Sequence, residues 1–306
     1  MQNTLASSVV FQGQGLHSGA PVRMVVRPAP ENSGIWFRRS DLPEAEAMVK
    51  AVWDAVVPSR LCTLVANAAG TSVSTIEHIM AALAGCAVHN ALIEIDGPEV
   101  PILDGSAMPF VEGLLAAGLV EQEAQVRAIR VLKAVEVRDG DALARLEPSE
   151  MLEIDFAIDF EEAAIGRQEK VLNMSNGAFV RELSDSRTFC RKIDVQMMRE
   201  KGLALGGTLE NAVVFDGDQV LSPGGLRYAD EPVRHKMLDA LGDLALAGGP
   251  ILGRYTGIRA GHALTNRLLR VLFATAGSWR FVECGEVTGG KLPGVGVHHG
   301  DLPSRL

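Results

Sequence analysis

Ala229-Asp230-Glu231-Pro232-Val233-Arg234-His235-Lys236-Met237-Leu238-Asp239-Ala240-Leu241-Gly242-Asp243 carries the clearest helical pattern in the chain. Asp230 is a good N-cap residue, Pro232 fits a first turn, and Gly248-Gly249-Pro250 stops the run, so a helix is expected over 231–246. A helix stacks positions i and i+4 on one face, so His235 and Asp239 stand together and Asp243 continues the row. Val233, Met237, Leu241 and Leu244 form the opposite, apolar stripe. An imidazole and a carboxylate one turn apart can reach a single ion, and that pair suits Zn²⁺. On spacing alone, a capping or surface histidine beside a solvated aspartate is the commoner explanation. Asp243 adds weight to the ion, because a third acid on a largely apolar helix is costly to bury without a cation or a histidine beside it.

Outward from this helix the chain alternates between strand and helix patterns. Leu152–Phe160 alternates cleanly and is expected as a strand; Ile129–Val137 and Leu143–Glu147 are expected as a hairpin around Asp139-Gly140-Asp141. His262–Ala276 is expected as a helix and Trp279–Val282 as the strand after it. Upstream, Ser8–Gln12 is expected as a strand that stops at Gly13. Pro21–Arg27 places Val22, Met24 and Val26 on one strand face, and Ala91–Ile95 is an apolar strand. Two helices are expected in this half. One begins near Ser74, with Ser74 or Thr75 as its cap, and ends at Gly85; the other covers Pro109–Ala117 and is closed by Gly118. Each half runs strands first and helices later, which predicts two α+β domains. The polar stretch Glu121–Arg127 places the boundary, giving domains over 1–124 and 125–306. The Gly- and Pro-rich tail after Gly289 is expected to be loosely ordered.

The bulk numbers exclude several classes. With 306 residues, 47% hydrophobic and 22% charged, the chain has the apolar mass for a folded core. Its formal charge of -9 opposes a phosphate backbone over most of the surface, so no nucleic-acid partner is expected. Cys62, Cys86, Cys190 and Cys284 are scattered, without a Cys-x-x-Cys pair, as in reduced thiols of a cytoplasmic protein. The start, Met1-Gln2-Asn3-Thr4, has no basic region followed by an apolar run, so no signal peptide is expected, and no apolar stretch is long enough to span a bilayer.

Two further segments carry chemistry. In Ser74-Thr75-Ile76-Glu77-His78, an adjacent acid and histidine in a first helical turn point in different directions. One can bind a metal while the other holds water, although an acid favoured by the helix dipole beside an ordinary histidine has the same spelling. Gly261-His262-Ala263-Leu264 puts a histidine at a helix start, as a cap-region residue or as the partner that Asp243 requires. His298-His299 is expected to be solvated and His89 structural, while His17 fits a cleft or a turn equally.

Taken with Gly15-Leu16-His17-Ser18-Gly19, Asp104-Gly105-Ser106-Ala107, Arg187-Thr188-Phe189 and Gly225-Leu226-Arg227-Tyr228, these segments resemble the UDP-3-O-acyl-N-acetylglucosamine deacetylase (LpxC) family across most of the chain. The resemblance implies zinc ligands at His78, His235 and Asp239, a general base at Glu77, and a catalytic His262 oriented by Asp243. It implies an oxyanion-binding hydroxyl at Thr188, and substrate contacts at Lys236, Phe189, Asp194, Arg259 and Lys133. It also implies a fold of two similar domains, each a sheet with a helical layer, helices face to face, with the active site between the domains. An insert near 191–217 would line an acyl-chain passage, with Met197 and Met198 as chain-lining or core residues. The implied reaction is zinc-dependent hydrolysis of the N-acetyl group of an acylated UDP-sugar in lipid A biosynthesis. The implied enzyme is a cytoplasmic monomer that meets the membrane only transiently, through its acylated substrate. A zinc amidohydrolase acting on another amide would present the same site, and a non-catalytic sugar-nucleotide binder would have no use for Glu77. Gln14 and Cys190 depart from the family's usual small residue and glycine.

Overall fold

The computed structural model describes residues 1–59 and 61–303 of this mixed α+β protein. Its first half builds a five-stranded sheet in the order Val9–Gln14, Pro21–Pro28, Ala91–Ile95, Ile35–Arg39, Met48–Lys50. Val22, Met24 and Val26 are buried on one face, as period-two alternation requires. Ala91–Ile95 pairs antiparallel with Pro21–Pro28 and parallel with Ile35–Arg39.

The second half builds a seven-stranded sheet around Ile251–Ile258. That strand pairs antiparallel with Ala142–Pro148 and parallel with both Arg127–Val131 and Leu152–Asp159. Leu152, Ile154, Phe156 and Ile158 all face the core. Arg167–Asn173 and Val135–Asp139 form outer strands, and Trp279–Glu283 pairs with Arg127–Val131.

Two helices meet in the interior, Glu77–Gly85 and Glu231–Ala245. Eight of the nine residues of the Glu77 helix are buried, so it has no solvent face, the state expected of a helix that is apolar nearly all round. The Glu231 helix is buried at His235, Asp239 and Asp243 as well as along its apolar stripe. The two backbones touch at Gly242, where a Cβ would stand 2.1 Å from the Glu77 carbonyl oxygen. Only glycine allows that approach. It carries the acid and histidine of one helix up to the acids and histidine of the other.

Several local expectations are corrected. The Glu77 helix starts at Glu77 and not near Ser74. Ser74 ends a strand, its backbone N–H and C=O engaged with Pro98 and Val100, and Thr75 turns the chain with φ +57, so neither caps the helix. Asp230 does not cap its helix through its side chain; Lys170 and Arg234 take its carboxylate. The strand expected over 129–137 is two, Arg127–Val131 and Val135–Asp139. Its break is fixed by Leu132 and Lys133 donating their N–H groups to the Ser278 carbonyl. Only the second forms the hairpin, around Gly140. The strand Val9–Gln14 does not stop at Gly13 but runs to Gln14, because both residues stay in register with Val22 and Pro21.

The tail is not loose as far as Pro303: Leu292 is 2% exposed, Val297 packs on the core, and Arg181 pairs with Asp301 at 2.6 Å. His298 is exposed, as expected, and His89 is structural, its Nδ1 accepting the Asn3 N–H. All four cysteines are free. Among the described residues no helix is long and apolar enough to cross a membrane.

Over 189–220 a small three-stranded sheet, Phe189–Arg191, Val213–Asp216 and Gln219–Val220, supports the helix Lys192–Glu200. That helix has no buried residue, and Met197 is 45% exposed, so the core option for Met197 and Met198 is discarded.

Candidate metal and acid–base site

His78, in the first turn of its helix, meets the His235–Asp239 row of the other. His235 Nε2 lies 3.3 Å and His78 Nε2 3.7 Å from the same oxygen, Asp239 Oδ1. The two rings stand edge to face at 5.0 Å, and one ligand atom from each of the three residues lies within 4.8 Å of the others. His235 Nδ1 is 2.9 Å from the Ser186 carbonyl. A carbonyl only accepts, so Nδ1 carries the proton and Nε2 presents its lone pair. Asp239 Oδ1 is buried with no hydrogen-bond partner among the described residues. The His235 Nε2 lone pair thus faces a buried carboxylate oxygen with no hydrogen between them, an arrangement that a cation relieves.

The electrostatics agree. Burial, with His235 beside it, drives the His78 pKa down to about 3. Burial also lowers that of His235, so both imidazoles are neutral. For Asp239 burial opposes ionisation, but the cations Lys236 and His262 beside it hold the carboxyl well below the usual range. Two neutral imidazoles and a carboxylate are a zinc donor set with room for a fourth ligand, so the residues present fit a catalytic zinc ion.

Beside this cluster stand Glu77, His262 and Asp243. His262 Nδ1 is 2.9 Å from Asp243 Oδ2, and its Nε2 is 3.8 Å from Glu77 Oε1. Of the two options left by the sequence, His262 is therefore the partner of Asp243. Glu77 is buried, which lifts its pKa to about 7; Asp239 and Asp243 reinforce the rise and His262 opposes it. Burial works to lower the His262 pKa, but Asp243, Glu77 and Asp239 together raise it to about 9. The pair therefore combines a carboxyl poised to take a proton at neutral pH with an imidazolium poised to give one.

Thr63 was not legible as a site residue. Its N–H donates to Glu77 Oε2 at 2.9 Å and its hydroxyl to Asp243 Oδ1, so one loop residue fixes both acids. No periodic pattern marks a threonine between two short strands. Ser186, holding His235 through its carbonyl, is silent in the sequence for the same reason.

The other expected residues divide. Phe189 packs edge-on against His235 at 6.4 Å and against Phe160 and Phe215. Thr188, its neighbour, is anchored by its N–H to the Gly105 carbonyl at 2.7 Å. Lys236 donates to Asp239 Oδ2 at 2.6 Å; burial alone would lower its pKa, but Asp239 raises it. Asp194 is clamped by Arg191, Arg259 pairs with Asp159, and the Lys133 amine lies near Gly277. Among the described residues, these three and Thr188 form no hydrogen bond, ion pair or ring contact with the His–Asp cluster. His17 lies in a turn fixed by Glu99, which accepts the N–H groups of His17 and Ser18. Both His17 ring nitrogens are buried without a hydrogen-bond partner among the described residues, and burial lowers its pKa against the pull of Glu99.

Comparison with known proteins is consistent across the chain. The LpxC family, described as UDP-3-O-acyl N-acetylglycosamine deacetylase, matches residues 2–274. The UDP-3-O-acyl-N-acetylglucosamine deacetylase of Phenylobacterium zucineum (strain HLK1) is 50% identical over 279 residues, covering 91% of this chain and 95% of the relative. That of Stenotrophomonas maltophilia (strain K279a) is 50% identical over 288 residues, covering 92% and 93%. That of Shewanella frigidimarina (strain NCIMB 400) is 47% identical over 284 residues, covering 92% of each.

Proposed function

The chain belongs to the UDP-3-O-acyl-N-acetylglucosamine deacetylase (LpxC) family, and from that premise we propose that it hydrolyses the N-acetyl group of UDP-3-O-acyl-N-acetylglucosamine, releasing acetate, in lipid A biosynthesis. It is an enzyme, a deacetylase. The observation that carries the assignment of the site is the buried, partnerless Asp239 Oδ1 facing two imidazole Nε2 atoms, with Glu77 and His262 alongside.

In this account His78, His235 and Asp239 hold zinc. When bound, the ion supplies Lewis acidity to the amide carbonyl and makes water easier to deprotonate. Glu77, poised near pH 7 by its burial, takes that proton. The Thr188 hydroxyl donates to the carbonyl oxygen as negative charge builds on it. An amine leaves readily only when protonated, and His262, kept charged by Asp243, delivers the proton to the departing nitrogen. Lys236, Asp194, Arg259 and Lys133 are assigned to the charged and polar parts of the substrate, and Phe189 to its apolar part. The exposed helix Lys192–Glu200 belongs to the segment near 191–217 assigned to the acyl chain.

The two large sheets with the Glu77 and Glu231 helices between them support a finer architecture of two similar domains, 1–124 and 125–306, packed helix to helix as a β-α-α-β sandwich. A cytoplasmic monomer without nucleic-acid partners completes the proposal.

Acetate release from UDP-3-O-acyl-N-acetylglucosamine tests it. Glu77→Gln and His262→Ala are each expected to lower kcat by about 10²–10⁴-fold, the range of a lost general base or acid. Wild-type activity retained in either variant would remove that residue from the mechanism, and no acetate from the wild type would remove the activity itself.

A further inference from the structure

A cavity of about 330 Å³ lies apart from the catalytic cluster, and none of Glu77, His78, His235, Asp239, Asp243 or His262 lines it. That volume is at the lower end of the range that holds a small organic ligand, about 300–1,000 Å³. Its apolar floor comes from the same two helices: Met80 and Leu83 from one, Leu241 and Leu244 from the other. These four side chains offer no hydroxyl, amide or charge. Two cations, Lys50 and Arg127, stand in the lining, and among the described residues the lining contains no carboxylate. In a chain of formal charge -9 that is a local reversal of sign.

Each cation stands over an aromatic ring, and among the described residues neither is held in an ion pair. Lys50 sits 5.6 Å from the centre of the Trp36 ring and Arg127 4.4 Å from that of Phe281. Both residues are exposed, and among the described residues neither has a carboxylate within ion-pair distance. A neutral guest would leave both cations without a counter-charge. A cationic guest would be repelled. A nucleotide would find the polar part of the lining taken, since Gln2, Asn32, Ser33 and Asn90 are hydrogen-bonded to one another and to the backbone, and it would leave its base against the apolar floor. The chemistry that satisfies floor and rim together is an alkyl chain ending in an anion, with the chain removed from water and the head group between Lys50 and Arg127.

We propose that this cavity is a second ligand site, distinct from the catalytic one, that takes a fatty-acyl anion with its carboxylate or phosphate head held by Lys50 and Arg127. The proposal does not depend on the metal assignment, because binding is read without turnover.

Calorimetric titration of the full-length protein with dodecanoate and with dodecyl phosphate tests it, with dodecyltrimethylammonium as the charge-reversed control. Saturable binding of at least one anion at one per chain is expected, the tighter of the two naming the head group, and the cationic amphiphile is expected to bind far more weakly. Lys50→Glu combined with Arg127→Glu is expected to weaken the anion by about tenfold or more, as loss of charge-assisted contacts should. Both positions are exposed and outside the catalytic set, so deacetylation is expected to persist in the double variant. Equal binding of anionic and cationic amphiphiles, undiminished binding in the double variant, or no saturable binding would each overturn the proposal. Displacement of the anion by the acylated UDP-sugar would also overturn it, by placing the alkyl chain in the substrate's own passage.

Discussion

Gly242→Ala adds one methyl group at the seam between the two site-bearing helices. Its Cβ would stand 2.1 Å from the Glu77 carbonyl oxygen and 2.9 Å from the carbonyl carbon. Ordinary contact begins near 3.4 Å, so the helices must part by roughly 1.3 Å, and neither neighbour is a flexible side-chain end that could swing away. Overpacking of this kind costs about 1–3 kcal/mol. Alanine returns about 0.8–1 kcal/mol through its better helix propensity, which leaves a net loss of about 0–2 kcal/mol. The larger effect falls on chemistry. Glu77 and His78 ride on one helix and His235, Asp239 and Asp243 on the other, so a parting near 1 Å misplaces every pair that spans the seam. A displacement of that size costs on the order of 10²-fold in rate. Thermal unfolding and kcat/KM for acetate release measure both effects. Gly285→Ala serves as the control, since φ there is -68 and nothing lies within 4 Å of the added carbon. Unchanged melting and activity within twofold of wild type for Gly242→Ala would refute the idea that this contact sets the geometry of the site.

Two further outcomes follow from the acid–base pair. In metal-free protein His262 should titrate near pH 9 by NMR, and Asp243→Asn should bring that value down by removing its main counter-charge. The sign for stability is fixed: the folded pKa lies above the ordinary value of 6.5, so the His262 contribution is complete below pH 6.5 and fades as pH rises through about 9. Thr63→Val removes the hydroxyl donor to Asp243 but keeps the N–H donor to Glu77, so kcat should fall about tenfold or more with KM little changed; an unaltered kcat would show that Asp243 needs no such support.

Spacing put part of this site on one helix face, the resemblance supplied the roles, and the limits of that legibility have physical causes. His235, Asp239 and Asp243 could be placed together because a helix converts i, i+4 and i+8 into one face, although that spacing alone fits a capping histidine beside a solvated acid as well. Leu152–Asp159 was legible through its period of two, with every second residue apolar. The start of the Glu77 helix was not, because Ser74 and Thr75 are good capping types whose backbone is already committed to a strand and to a left-handed turn. Thr63 and Ser186 act through a hydroxyl, an N–H and a carbonyl that no periodicity betrays. Spacing by itself also left His262 undecided between a cap-region residue and the partner of Asp243. The joint order of the short motifs singled out one family, and the 2.9 Å contact between His262 and Asp243 agrees with it. The tail misled because glycine and proline content speaks to the backbone, whereas Leu292 and Val297 dock it through side chains.

The most direct measurement is metal content against activity in one preparation. Chelator-stripped protein should release no acetate, regain activity with one equivalent of zinc per chain, and lose both the bound zinc and the rescue in Asp239→Ala and His235→Ala. Stripped protein that deacetylates at the full rate, or ligand variants that still bind one zinc and turn over normally, would contradict the account.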